Sequence, residues 1–306
     1  MKSSMENQLL TIGIPVRNEE ENIPELKLAV SDLIARLEVK GINVEIIIND
    51  NGSTDKSLEM LRIWESYEKR LKVNKLEPPL TFQASILKMM KTAEGDAFVI
   101  YQSDMQDPIE LIDGFVNQWQ QGYSIVAGVI RDRKESFLKK NVRKLFYRTL
   151  KLFSDGNFIV GFQDFYLISK NVYKTLATLP NEGLFLRGHI SSRFGEVFTL
   201  EYSRKNRLKG ESNFKFPEKY GLALDGLLLF GTRFIRVLST SSFLLFIISI
   251  ILILVIGIGY LFGVRVPMRG WASIYVGILA LLSLLGLAVG IILEYLIRIY
   301  RVILLK

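Results

Sequence analysis

The 306-residue sequence predicts an α/β domain with a doubly wound, mostly parallel sheet, followed by two membrane-spanning helices. Three observations lead to this prediction. Apolar runs alternate with helical patterns from residue 9 to residue 129, as strands and helices do in parallel sheets. Polar loops follow three of these runs, and such sheets bind ligands at the carboxyl ends of their strands. Two long stretches near the C-terminus carry no charged residue.

Four of the predicted strands are mainly apolar runs, the pattern of strands that are buried on both faces, and polar residues interrupt the third one, Leu71–Leu76. The predicted strands are Leu9–Ile14, Val44–Ile48, Leu71–Leu76, Ala97–Tyr101 and Ile125–Val129. The predicted helices have apolar residues at helical spacing, as Leu26, Val30 and Leu33 do. They cover residues 26–37, 58–64, 84–92, 109–119 and 185–194.

Polar clusters follow three of the predicted strands: Pro15–Glu21, Asn49–Asp55 and Gln102–Pro108. Because parallel strands end at one edge of a sheet, we expect these clusters to converge on a nucleotide-sized crevice. Asp104, Gln106 and Gln102 offer oxygen ligands of the kind that Mg²⁺ prefers. The alternative is an ordinary polar turn whose side chains cap the next helix.

Composition excludes several classes of function. The chain has no cysteine and a single histidine, His189, which excludes thiolate sites, multi-histidine metal sites and most Ser-His-Asp arrangements. Neither the G-x-G-x-x-G fingerprint nor the P-loop motif occurs. The net charge of +8 predicts that the protein binds an anionic partner, either lipid or nucleic acid.

Two apolar stretches, Phe243–Phe262 and Trp271–Leu293, predict transmembrane helices, because about 20 apolar residues cross a hydrocarbon core. Val264–Gly270 would be the turn between them. Basic residues precede the first stretch and follow the second, and the N-terminus has no apolar signal segment. The positive-inside rule therefore predicts a multi-pass protein of the cytoplasmic (inner) membrane, with the N-terminal domain and the short C-terminal tail in the cytoplasm.

A basic amphipathic pattern at residues 134–153 is typical of a helix that lies in a membrane interface. Residues 214–236 are a second, juxtamembrane candidate, between a domain at 1–213 and a helical hairpin at 237–306. Two adjacent spans favour lipid over nucleic acid as the partner. Arg131 and Arg133 would capture a lipid phosphate there, and the alternative for both is solvated surface charge.

Several motifs, in this order, resemble those of family 2 glycosyltransferases, which have the GT-A fold. They are Ile14–Glu20, Asn49–Asp55 and Ser103–Pro108, followed by Gln163–Phe165, Leu184–Gly188 and Arg204–Phe214. The branch that the chain resembles contains dolichol-phosphate-mannose synthases and bactoprenol glucosyltransferases. The resemblance implies transfer of a sugar from a UDP- or GDP-sugar to undecaprenyl or dolichyl phosphate, with inversion, and a homo-oligomer through the membrane helices.

The resemblance also implies a role for individual residues. Asp104 and Asp164 would be the catalytic residues, and Asp104, Gln106 and Gln102 would hold Mg²⁺ or Mn²⁺ on the diphosphate. Arg204, Arg207 and Ser212 would bind phosphate oxygens, the first two on the donor and Ser212 on the acceptor. The other donor-binding residues would be Pro15, Asn18, Glu19, Asp50, Asn51 and Ser103.

The chain departs from the family pattern at four places around this pocket. Gln102 and Asn51 stand where the family has aspartates, and Tyr166 replaces a frequent arginine. Pro78–Thr81 replaces an Arg-Asn-x-Gly stretch. These changes leave a second function open: a weakened or inactive relative that binds a nucleotide sugar or lipid and serves as a scaffold.

Overall fold

A computed structural model describes residues 8–130, 161–180, 186–194, 196–204, 232–263 and 271–305. The chain divides into an N-terminal unit, Met1–Lys151 with Gly156–Asp225, and a C-terminal unit, Leu152–Asp155 with Gly226–Lys306. Several sequence-based predictions lie outside the described residues: the amphipathic segment 134–153, most of 214–236, and Arg131, Arg133, Arg207 and Ser212.

The described part of the N-terminal unit contains a seven-stranded sheet and helices on both of its faces. The strands are β1 (Gln8–Val16), β2 (Ile42–Asp50), β3 (Leu71–Lys75), β4 (Ala97–Ile100), β5 (Ile125–Ile130), β6 (Phe162–Ser169) and β7 (Phe198–Tyr202). The helices are α1 (Ile23–Val39), α2 (Ser57–Tyr67), α3 (Phe82–Thr92), α4 (Leu111–Gln120), α5 (Lys170–Leu176) and α6 (Leu186–Arg193).

The strand order is β3-β2-β1-β4-β6-β5-β7, and every pairing is parallel except the two made by β6. The carboxyl ends of β1, β2 and β4 therefore lie at one edge of the sheet, which we term the carboxyl edge. Because β6 runs in the opposite direction, its first residues reach the same edge. The predicted α/β class and its mostly parallel sheet are confirmed, and β6 and β7 are additions to the predicted strands.

Two apolar layers cover the sheet, because alternate residues of a strand face opposite sides. Phe165 and Leu167 of β6 pack into the layer formed with α1, α2 and α4. Tyr166 and Ile168 pack into the layer formed with α3, α5 and α6. Full burial of each large apolar side chain contributes about 1.5–3 kcal/mol, so these two layers hold the strands in register.

A buried polar network holds the opposite edge of the sheet. The Glu45 carboxylate accepts hydrogen bonds from Thr11 Oγ1 (2.6 Å), Lys72 Nζ (3.0 Å) and the Glu94 N–H (3.0 Å). The Gly95 N–H donates to Thr11 Oγ1 at 3.0 Å. Burial raises the pKa of the Glu45 carboxyl, but these hydrogen bonds outweigh it and leave the pKa below its usual value.

The C-terminal unit contains two long helices, α7 (Thr232–Leu261) and α8 (Trp271–Leu305). Their segments Ser239–Gly259 and Ile274–Leu296 are long and apolar enough to cross a membrane, and almost none of their residues are buried in the protein. Small residues bring the helices together, and Ser239 Oγ donates to the Gly290 carbonyl at 3.2 Å. The outward apolar surface of this pair indicates a membrane-associated protein.

Candidate active site

The loops after β1 and β2 are tied to each other at the carboxyl edge. The Asn18 N–H donates to Ser53 Oγ at 3.0 Å, and Asn18 Oδ1 accepts from the Thr54 N–H at 2.8 Å. The Glu19 N–H donates to Ser57 Oγ at 2.8 Å. Asn18 has a φ of +54°, a conformation that asparagine tolerates better than most residues. These bonds fix the two loops that contain the predicted donor-binding residues Asn18, Glu19 and Asn51.

Asp50, the last residue of β2, has one carboxylate oxygen that is ready for a ligand. The side chain is completely buried, and Oδ2 accepts from the Ser53 N–H at 3.3 Å. The other oxygen, Oδ1, is buried without a hydrogen-bond partner among the described residues. An unsatisfied buried acceptor costs about 1–3 kcal/mol, which a ligand N–H would recover.

Asn51 has a different environment from its neighbour. Its Oδ1 accepts from the Leu80 N–H and its Nδ2 donates to the Leu80 carbonyl, both at 2.8 Å. The amide group therefore holds the segment that precedes α3, and its predicted contact with the donor stays a prediction.

The loop after β4 carries the predicted metal ligands Asp104, Gln106 and Gln102. Ser103 Oγ donates to the Pro15 carbonyl at 3.2 Å, which joins this loop to the end of β1. Asp104 is almost completely buried, and its Oδ1 accepts from the Gln106 N–H at 3.2 Å. Met105 between them has a φ of +49°, so the chain turns sharply at this point.

Asp107 and Arg204 form a buried ion pair that joins this loop to the end of β7. Arg204 Nε lies 3.0 Å from Asp107 Oδ1, and Tyr202 Oη donates to the same oxygen. Arg204 Nη2 also donates to Gln102 Oε1 at 3.2 Å. Burial raises the pKa of the Asp107 carboxyl above its usual value, although Arg204 and the Tyr202 hydroxyl oppose this effect. Arg204 and Gln102, predicted to bind phosphate and metal respectively, therefore contact each other.

Asp164 lies near the start of β6, at the carboxyl edge, because β6 is antiparallel to β4. Its Oδ1 lies 3.4 Å from Arg187 Nε and accepts from Gln83 Nε2, also at 3.4 Å. Arg187 belongs to α6, and Gln83 belongs to the first turn of α3. Two helices on one face of the sheet thus hold the side chain of Asp164.

The structure brings Asp50, Asp104 and Asp164 to one edge of the sheet, on or directly beside β2, β4 and β6. Four supporting residues were not predicted from the sequence in these roles: Gln83 and Arg187, which contact Asp164, and Asp107 and Tyr202, which hold Arg204 in place. Arg187 and Asp107 had a signal, because they belong to the Leu184–Gly188 and Ser103–Pro108 motifs.

The donor atoms near Asp104 suit a metal ion that is shared with a substrate. Within the described ranges, no three His, Cys, Asp or Glu side chains form a group that could hold a metal ion by themselves. Mg²⁺ in nucleotide sites takes one or two carboxylates and completes its shell with phosphate oxygens and water. Asp104 and Gln106 provide a carboxylate and an amide oxygen, so these residues fit an ion that is held jointly with a diphosphate.

A mostly parallel sheet with carboxylates along its carboxyl edge is the arrangement of α/β proteins that bind ligands at that edge. The family model described as glycosyl transferase family 2 matches residues 11–176. The chain belongs to this family, which confirms the predicted GT-A class of fold and identifies the protein as a glycosyltransferase.

Two curated relatives are similar over nearly the whole chain. The bactoprenol glucosyl transferase of Shigella phage SfV is 31% identical over 308 residues, which cover 95% of this chain and 94% of that protein. The uncharacterized glycosyltransferase YkcC of Bacillus subtilis is 30% identical over 300 residues, which cover 95% and 89%. This similarity includes the C-terminal helices and supports the predicted polyisoprenyl-phosphate branch.

Among solved structures, the mannosyltransferase PcManGT from Pyrobaculum calidifontis, in complex with GDP-Man and Mn²⁺, is 13% identical with a TM-score of 0.49. The match covers 92% of this chain and 87% of that one. At this level of similarity the comparison supports no conclusion about ligands.

Proposed function

We propose that the protein is a membrane-anchored, inverting glycosyltransferase that moves a sugar from a nucleotide diphosphate sugar to a polyisoprenyl phosphate at the cytoplasmic leaflet. The observation that carries the proposal is the convergence of Asp50, Asp104 and Asp164 at one sheet edge of a family 2 chain. The two membrane-length helices and the similarity to a bactoprenol glucosyl transferase support a lipid acceptor.

The environment of Asp50 favours a base that presents a ring N–H. Its buried Oδ1 can only accept a hydrogen bond while the carboxylate is ionised. Uracil and guanine both carry a ring N–H at neutral pH, whereas cytosine and adenine in nucleotides do not. The proposal therefore takes UDP- and GDP-sugars as the candidate donors.

The reaction is a single displacement. An oxygen of the lipid phosphate bonds to the anomeric carbon while the bond from that carbon to the diphosphate oxygen breaks, which inverts the anomeric centre. Asp104 and Gln106 would hold a divalent ion, which would supply positive charge to the departing diphosphate. Because a phosphate monoester has a second pKa of about 6, the attacking oxygen is already an anion at neutral pH. Asp164 therefore orients the reacting groups and need not remove a proton.

The decisive experiment measures transfer by the full-length protein in lipid nanodiscs that contain undecaprenyl phosphate. Radiolabelled UDP-glucose, UDP-N-acetylglucosamine, UDP-galactose and GDP-mannose are supplied separately, and the label is followed into the organic phase. We expect one donor to yield labelled lipid, and we expect EDTA to stop the reaction and Mg²⁺ or Mn²⁺ to restore it. Failure of every donor with folded protein would refute the proposal and favour a scaffold, and a product with retained configuration would refute the displacement.

Two variants make the assay specific for the site. Asp104→Ala removes the carboxylate proposed to hold the ion, and we expect transfer to fall at least about 100-fold, as loss of a single transition-state contact does in other enzymes. Asp113→Asn is the matched control, because Asp113 is paired with Arg36 of α1 and with Lys40 directly after that helix, and lies outside the candidate site. Its transfer rate should stay within about twofold of wild type, since partly exposed ion pairs contribute little.

A further inference from the structure

We propose that Arg187 and Gln83 are positioning residues that set the orientation of the Asp164 carboxylate during transfer. This inference rests on the proposed function, because it assigns a role to two side chains that support a residue of the same site.

Arg187 fixes both the position of Asp164 and the start of its strand. Its Nη1 donates to the Phe162 carbonyl at 3.0 Å, and its Nε lies 3.4 Å from Asp164 Oδ1. The two side chains are only 17% and 12% exposed, so water screens this ion pair weakly. The guanidinium therefore contacts both the Phe162 carbonyl and the Asp164 carboxylate.

Gln83 provides a second, independent contact to the same carboxylate. It is buried in the first turn of α3, and its Nε2 donates to Asp164 Oδ1 at 3.4 Å. Its Oε1 accepts from the Leu186 N–H at 3.2 Å, the residue before Arg187. Since its amide bonds to α6 at one end and to Asp164 at the other, its orientation is fixed by the fold.

Both contacts are made to Oδ1, which leaves Oδ2 for a ligand. The ion pair with Arg187 and the hydrogen bond from Gln83 also restrict rotation of the carboxylate about its terminal bond, a torsion that is otherwise broad. Arg187 additionally offsets the negative charge of Asp164 in a site that must accept two anions, the donor diphosphate and the lipid phosphate. Loss of either contact should therefore impair the chemical step more than binding of the donor.

A double-mutant cycle tests this coupling in the nanodisc assay. We expect Arg187→Ala to lower kcat by about 30-fold and Gln83→Ala by about tenfold, with the dissociation constant for the donor nucleotide within about threefold of wild type. In an Asp164→Asn background, each substitution should lower kcat by less than about twofold further, because the contact is already weakened. Arg187→Lys, which keeps the charge, should recover most of the lost rate.

Control variants separate positioning from general structural damage. Arg62 makes the same kind of bridge on α2, from a carboxylate (Glu65) to a backbone carbonyl (Val73), and Arg62→Ala should leave kcat per folded molecule unchanged. Melting temperatures measured for all variants identify any that fail to fold. If Arg187→Ala is one of these, Gln83→Ala and Arg187→Lys still test the inference.

The outcomes distinguish the inference from the function on which it rests. If the wild type transfers sugar but the Arg187 and Asp164 effects simply add, or if donor binding falls as much as kcat, the positioning role is overturned and the proposed function stands. If the folded wild type transfers no sugar from any donor, both are overturned.

Discussion

The Asp50→Asn substitution replaces a buried carboxylate by an amide of nearly the same shape. In the wild type, Oδ2 accepts from the Ser53 N–H, whereas Oδ1 is buried and has no partner in the described part of the chain. The asparagine can keep its oxygen towards Ser53, so an amide NH₂ then occupies the position of Oδ1. That group cannot accept the ring N–H of a uracil or guanine base.

The size of the effect follows from this single hydrogen bond. Bonds to charged groups contribute about 1.5–3 kcal/mol net, and 1.4 kcal/mol is a factor of ten, so we expect the nucleotide dissociation constant to rise by about 10- to 140-fold. The free energy of unfolding without nucleotide should not fall by more than about 0.5 kcal/mol, because the substitution also removes a buried charge whose Oδ1 is unsatisfied.

Asp55→Asn in the same loop is the matched control, because both of its carboxylate oxygens are satisfied. The Ser57 N–H donates to Oδ1 at 2.9 Å and the Glu20 N–H donates to Oδ2 at 3.2 Å. Its amide variant loses one of these bonds and should lower the free energy of unfolding by about 1.5–3 kcal/mol, with nucleotide affinity within about threefold of wild type.

Isothermal titration calorimetry with UDP and GDP, and urea unfolding without nucleotide, measure the two quantities for each variant. The reasoning is refuted if Asp50→Asn binds the preferred nucleotide as tightly as wild type. It is also refuted if the two variants lose stability equally, since the state of Oδ1 would then have no energetic consequence.

Three further predictions concern the fold. Glu45→Gln should lower the free energy of unfolding by about 2–3 kcal/mol in urea. Because the folded pKa of Glu45 is lowered, its contribution is complete above its unfolded pKa of about 4.5 and is lost as the pH falls through the folded pKa, so wild type and variant should converge in acid. Gly95→Ala would place its Cβ 2.5 Å from Thr11 Oγ1 and should cost about 1–3 kcal/mol by the same measurement. Gly290→Leu should lower the melting temperature in detergent, because a Cβ there already lies 3.4 Å from α7, whereas Gly277→Leu, with no atom of the described chain within 4 Å, should not.

The sequence predicted most of the parallel strands well because β1, β2, β4 and β5 are mainly apolar, as expected of strands in a sheet that is covered on both faces. It did not predict β6, in which Gln163 and Asp164 interrupt the apolar pattern, or β7, an edge strand of only five residues. The insertion of β6 between β4 and β5 is a long-range pairing, and no local pattern encodes which strands become neighbours.

In the candidate site, too, features that depend on local sequence patterns could be predicted, and features that depend on long-range packing could not. The three polar loops could be placed at one edge because parallel neighbours end together, so the positions of Asp50 and Asp104 followed from local patterns. The partners of the arginines could not be predicted in the same way. Arg204 is paired with Asp107, and Arg187 with Asp164, across separations of 97 and 23 residues, which depend on the final packing.

Gln102 is the departure from the family pattern that most directly concerns the metal site. Its amide oxygen accepts from Arg204, whose charge is already matched by the buried Asp107. A carboxylate at position 102 would add a second negative charge to this ion pair beside Asp104, whereas the amide satisfies the guanidinium without adding charge. Glutamine at position 102 is therefore compatible with the Arg204–Asp107 ion pair, and its presence does not by itself imply loss of the metal site.

The start of α3 links the two ends of the proposed substrate site within four residues. Leu80 is held by Asn51, next to the base-binding candidate Asp50, and Gln83 holds Asp164. Between them, Thr81 Oγ1 accepts from the Ala84 N–H at 3.3 Å and caps the helix. The departures at Asn51 and in the segment before α3 are thus bonded directly to each other. Because Asn51 and Leu80 satisfy each other's hydrogen-bonding groups, these two departures from the family pattern form one connected unit beside Asp50.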